Sequence, residues 1–152
     1  MADLVLTLRI PLPREIVRER LWCADRHTEE IPLTTVSTSG NGRLDQVGAE
    51  ILARTGWWPL AVDDRMLVLD VSCPEDGPWR YRIVKIGTVI RGSVDAVLSP
   101  AEAGSVTDLV WRQSISVIGI PHWADPLTAA VARVAYTHAI RRICLQPDRA
   151  LR

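Results

Sequence analysis

The chain has no phenylalanine, only three cysteines and no excess charge of either sign, since 18 Lys and Arg residues balance 18 Asp and Glu. A balanced chain offers no electrostatic footprint for nucleic acid or an anionic membrane face, so neither is expected as a partner. Cys23, Cys73 and Cys144 are odd in number and irregularly spaced, which argues against a secreted disulfide framework and fits reduced thiols in a cytoplasm. Long apolar runs are missing too. The longest uncharged stretches, Ile31 to Gly42 and Gln113 to Ala124, hold about a dozen residues with Pro or Gly among them, well short of the ~20 that a spanning helix needs. The opening MADLVLTLRIPLP carries Asp3 where a signal peptide has a positive region, and Arg9 interrupts its apolar run, so it reads as mature, cytoplasmic protein. Phosphate-binding glycine loops, H-E-x-x-H, C-x-x-C and G-x-S-x-G are all absent, and no cofactor or metal is expected.

What is present fits one folded unit. With 152 residues, 47% of them hydrophobic, the chain can bury roughly 70% of the surface it exposes when unfolded. Residues 1–146 are expected to form the domain and 147–152 a tail. Leu4, Leu6, Leu8 and Ile10 alternate with Val5, Thr7 and Arg9, the period of a half-buried strand. Pro13 opens a short helix over Arg14 to Ala24, with Val17, Leu21 and Ala24 at helical spacing, and a second short helix is expected through Arg26 to Ile31.

Six apolar or β-branched runs follow: Leu33 to Ser39, Gln46 to Gly56, Arg65 to Ser72, Trp79 to Thr88, Val89 to Leu98 and Val106 to Ile118. Turn signals such as Gly40-Asn41-Gly42 and Pro74-Glu75-Asp76-Gly77-Pro78 separate them, which makes consecutive antiparallel hairpins, with bends at Gly87 and Gly92. Asp125-Pro126 reads as the cap and first-turn proline of a long helix reaching about Leu145. Its stripe of Ala129, Ala132, Tyr136, Ala139, Ile140 and Ile143 is expected to face the sheet, and the early alanines leave space there.

The order strand, helix, six strands, long helix resembles the START-like superfamily, also called the SRPBCC or polyketide cyclase/dehydrase group. The resemblance is carried by Ile31-Pro32-Leu33-Thr34, Val47-Gly48, the run from Val62 to Val68, the run from Lys85 to Gly92, and Leu109-Val110-Trp111. It implies an α+β helix-grip fold, a curved antiparallel seven-stranded β-sheet wrapped around a long C-terminal α-helix with two short helices after strand one. It also implies an interior pocket for a small, mostly apolar molecule. It implies no particular activity, because lipid carriers, metabolite binders, aromatases and cyclases, and chaperone cofactors share the fold.

The expected pocket lining is Val47, Ala49, Ile51, Met66, Val68, Ile90, Val94, Trp111, Gln113, Ala132 and Tyr136, although Leu67 and Leu69 offer the opposite strand phase equally well. Gln113 beside Trp111 aims an amide into an apolar interior, where it either bonds the structure or waits for a ligand. Tyr136 is the leading candidate for a hydroxyl that touches the ligand. Asp63-Asp64 reads as turn chemistry, Arg65 and Arg80 as strand charges that face solvent unless one turns inward, and Trp22 and Trp79 as packing residues. Trp57-Trp58-Pro59 forms either a lid or a plug. Cys23 and His27 are four apart but lack further ligands at a recognisable spacing, so they read as a buried thiol and a surface imidazole. His122, before the long helix, is a gate or a capping contact, and Arg141, Arg142, Arg149 and Arg152 make a solvated basic end.

Three functions remain open: a binder of a small hydrophobic or aromatic molecule, an aromatase/cyclase-type enzyme, and a protein-interaction module. A binder predicts a dry pocket with one or two polar groups, a cyclase several convergent ones, and an interaction module a filled core. No His, Asp or Glu is expected to point inward from a strand, which favours binding.

Overall fold

The alternation at the start of the chain becomes strand β1 (Ala2–Ile10), whose even-numbered residues are buried and whose odd-numbered ones are exposed. The computed structural model describes residues 1–57 and 59–148. Helices α1 (Arg14–Leu21) and α2 (Ala24–Glu30) follow. Then come β2 (Thr34–Thr38), β3 (Glu50–Thr55), β4 (Val62–Ser72), β5 (Trp79–Ile86), β6 (Ile90–Ala101) and β7 (Val106–Val117), and the helix α3 (Asp125–Leu145). All seven strands make one antiparallel sheet in the order β1-β7-β6-β5-β4-β3-β2, so the first strand pairs with the last and the rest are chain neighbours. Helix α3, 21 residues long, packs against β1, α1 and α2. This is the expected α+β helix-grip architecture.

Several boundaries move for local reasons. The first helix stops at Leu21, not Ala24, because Cys23 is extended and bridges Arg43. Two backbone bonds, Ala24 N–H to the Gly42 carbonyl (2.9 Å) and Leu44 N–H to the Trp22 carbonyl (2.8 Å), tie the β2–β3 loop into this break. Arg43 and Arg18 also share the buried Asp45 carboxylate, at 3.0 and 2.9 Å. Strand β2 begins at Thr34 because Leu33 has a left-handed backbone, φ 59°. Strand β3 begins at Glu50, not Gln46, because Gly48 turns the chain at φ 83°. Gly92 is required where β6 meets β7: a Cβ there would overlap the Ser114 carbonyl.

Helix α3 is anchored unevenly. Ala124, not Asp125, holds the capping position, and the Asp125 carboxylate instead accepts the Met1 ammonium at 2.7 Å. At the other end, Arg26 donates to the carbonyls of Ile143 and Gln146 and Arg20 to that of Cys144, satisfying acceptors that the last helical turn leaves open. Ile140, Ile143 and Cys144 are buried, whereas Leu127, Val131 and Val134 are exposed. Arg142 pairs with the buried Glu30 of α2 at 3.2 Å; Arg149 and Arg152 lie outside the described residues.

Candidate ligand-binding site

Period two decides what β4 and β5 send inward. On β4, Asp64, Met66 and Val68 share a phase; pairing with β5 then slips between Val68 and Asp70, so Leu69 is the extra residue and Val71 resumes packing against the core. On β5, Trp79, Tyr81, Ile83 and Lys85 are buried in alternation. These inward residues meet α3 across a cavity of about 370 Å³. Its sheet side includes Ile51, Ala53, Met66, Ile83, Ile90 and Val94, its helix side Ala135, Tyr136 and Ala139, and Trp22, His27 and Ile31 close it from the α1–α2 segment.

Four aromatic rings form a continuous ladder. Tyr81 and Trp22 have centroids 4.7 Å apart, Trp22 stacks on Trp111 at 6.0 Å, and Trp111 meets Tyr136 at 6.1 Å. Trp22, Trp111 and Tyr136 line the cavity, so the ladder offers a flat apolar wall. The Trp111 indole is fixed from behind: its N–H donates to Gln113 Oε1 at 2.8 Å. Gln113 Nε2 is buried without a partner.

The polar part of the site is an ion pair. Lys85, 4% exposed, donates to Asp64 Oδ2, and its ammonium also lies 3.6 Å from Met66 Sδ. Burial pulls the Lys85 pKa down, but the neighbouring Tyr136 phenol and Asp64 carboxylate outweigh it, and the net shift is upward: Lys85 is an ammonium. The second carboxylate oxygen, Asp64 Oδ1, is buried with no hydrogen-bond partner. His27 contributes a neutral ring, since burial lowers its pKa against the opposing effect of its bond to the Leu21 carbonyl. Nε2 lies 2.6 Å from that oxygen, which only accepts, so Nε2 carries the proton.

Of the expected lining, Ile51, Met66, Ile90, Val94, Trp111 and Tyr136 lie on the cavity wall. Ala49, Val68 and Gln113 are buried but do not line it. Ala132 packs against the core, but the helical wall of the cavity starts one turn later, at Ala135. Val47 is 62% exposed, carried out to solvent by the Gly48 turn.

The pair Asp63-Asp64 is not a turn. It opens β4, with Asp63 outward in a two-pronged bond to Arg54 (2.6 and 2.8 Å) and Asp64 inward on Lys85. The expectation that no acidic strand residue points inward is thereby overturned. It follows from the phase of Met66 and Val68 continued back by two residues, as Lys85 follows from Trp79, Tyr81 and Ile83. Arg65 faces outward, 3.2 Å from Glu50, and Arg80 is exposed. Trp22 and His27 both reach the cavity, so Trp22 does more than pack and His27 is no surface imidazole. Trp57 is exposed away from the wall, and Trp58 lies outside the described residues. His122 sits at the surface beside Asp125 (3.4 Å), away from the cavity. Among the described residues, no three His, Cys, Asp or Glu side chains gather to hold a metal ion, and no helix is long and apolar enough to cross a membrane.

Solved structures share this architecture across nearly their whole length. A START superfamily protein from Mycobacterium smegmatis superposes with a TM-score of 0.66 at 10% identity, covering 94% of each chain. The ZhuI aromatase/cyclase from Streptomyces sp. R1128 gives 0.64 at 14% identity, over 93% of this chain and 90% of the other. The chain has the START-like helix-grip fold. A protein from Nitrosospira multiformis gives 0.61 at 15% identity, over 93% and 95%. The sequence itself matches no family model and no curated protein. At such identities the likeness carries the fold alone.

Proposed function

We propose that this START-like domain is a cytoplasmic binder of a small, flat, mostly apolar molecule, hydrophobic or aromatic, held between the sheet and α3. The observation that carries this reading is a hollow interior walled by Trp22 stacked on Trp111, with Tyr136 tilted against Trp111. Its volume of about 370 Å³ falls in the range of small-molecule sites. An aromatic ligand adds stacking of roughly 0.5–1.5 kcal/mol per ring pair to its area burial. The test is thermal unfolding with a panel of fatty acids, flavonoids and polycyclic aromatics. A compound that fills the cavity at 100 times its Kd stabilises the native state by about 2.7 kcal/mol and raises the midpoint. A panel without any such shift would overturn the reading.

A second reading is an aromatase/cyclase-type enzyme, favoured by the convergence of Asp64, Lys85 and Tyr136 on one apolar cavity. There the cavity would fold a reactive chain while Lys85 and Tyr136 stabilise a developing oxyanion. Chemical change of a bound compound over time separates this reading from simple binding.

A further inference from the structure

We infer that Asp64 and Lys85, with Tyr136 beside them, form a recognition subsite for one un-ionised hydroxyl of the ligand, a phenol or an enol. The inference rests on the cavity reading above and adds the chemistry of the ligand's polar end. It starts from unequal treatment of two adjacent carboxylates. Asp63, at the surface, has both oxygens engaged by Arg54. Asp64, inside, has one oxygen on Lys85 and the other buried without a partner, although a carboxylate accepts at about four lone-pair sites. The Asp64 side chain lines the cavity, and rotation about its soft χ2 torsion brings Oδ1 to that face.

Lys85 mirrors this shortage. Of its three protons, one goes to Asp64 and one to the weak acceptor Met66 Sδ, and the third has only the Tyr136 phenol beside it. The pair therefore presents an unmet acceptor and an underused donor side by side in an apolar enclosure. A hydroxyl satisfies both at once, donating to Asp64 and accepting from Lys85. A ketone or ether leaves Oδ1 unpaired, a ligand cation offers nothing to Lys85, and a ligand carboxylate meets the charge of Asp64. The hydroxyl belongs on a flat ring because Tyr136, whose phenol neighbours Lys85, is also the last ring of the aromatic ladder. A ring lying along Trp111 and Tyr136 carries its substituent to the ion pair.

The experiment compares 2-naphthol, 2-methoxynaphthalene and naphthalene by calorimetric titration of the full chain. The expected result is binding of 2-naphthol at least tenfold tighter than its methyl ether. In the Asp64→Asn, Lys85→Met double variant, which removes both charges together, that preference should shrink to within about twofold. Equal wild-type affinities for the naphthol and its ether would overturn the subsite while leaving the cavity reading intact, and this comparison holds whether or not the variant folds. An undiminished preference in the folded double variant would place hydroxyl recognition elsewhere and also overturn it. Failure of all three compounds to bind would remove both inferences.

Discussion

One sheet and one helix build two ends of this domain that differ in filling. Toward its C-terminus, α3 packs on β1 and α1 and buries Ile140, Ile143 and Cys144, and the surrounding Leu21, Leu98 and Leu109 have no measurable exposure. About one turn earlier it offers Ala135, Tyr136 and Ala139 to an open space, and Leu127, Val131 and Val134 point to water. Side-chain volume explains the difference better than hydrophobicity does. Leucine and isoleucine close the first end, while alanines on α3 and Ala53, Thr34 and Thr55 on β2 and β3 leave the second open. The filled end carries the stability, and the hollow end is free to carry a ligand.

The comparison breaks most visibly if both ends respond alike to truncation. Leu109→Ala, at a fully buried site, should cost about 3–5 kcal/mol in urea unfolding, and Met66→Ala, beside space that already exists, about 1 kcal/mol. Equal losses would mean that the cavity is as tightly packed as the core. Next in size is the buried pair. Lys85→Met alone strands the Asp64 carboxylate in an apolar wall and should cost about 3 kcal/mol, most of it recovered by adding Asp64→Asn. A smaller effect of opposite sign is expected from filling the space: Ala139→Leu should raise stability by roughly 1 kcal/mol and abolish binding of 2-naphthol in the same titration.

The smallest effect is pH-dependent. His27 has a folded pKa below its unfolded value because burial disfavours the imidazolium. As pH falls through about 6.5, the unfolded chain takes up a proton that the folded one refuses, so stability present at neutral pH declines toward pH 5. His27→Gln should flatten that decline in denaturant titrations between pH 5 and 7, and an unchanged slope would place His27 in contact with water.

Much of the fold is legible locally. Alternation in Leu4 to Ile10, the Gly and Pro punctuation, and the Pro126 start followed by a helical stretch each specify an element without distant contacts. The site is legible only in part, for two reasons. On β4 both residue type and phase mislead: Asp64 looks like a turn residue, and Leu67 and Leu69 mimic an inward face until the bulge at Leu69 is known. On β5 the alternation of buried Trp79, Tyr81 and Ile83 carries Lys85 inward. Trp22 and His27 are different. Their place on the wall depends on the α1–α2 break being held by Gly42 and Leu44, a contact across some twenty residues that no local period encodes.

The indole N–H resonances of the tryptophans report whether the space beneath α3 receives a small aromatic molecule. Trp22 and Trp111 stand on the cavity wall, whereas Trp57 and Trp123 are exposed to solvent. On addition of 2-naphthol to the labelled protein, the Trp22 and Trp111 signals should shift to saturation and those of Trp57 and Trp123 should stay in place. Shifts confined to Trp57 or Trp123, or none at all, would contradict the account.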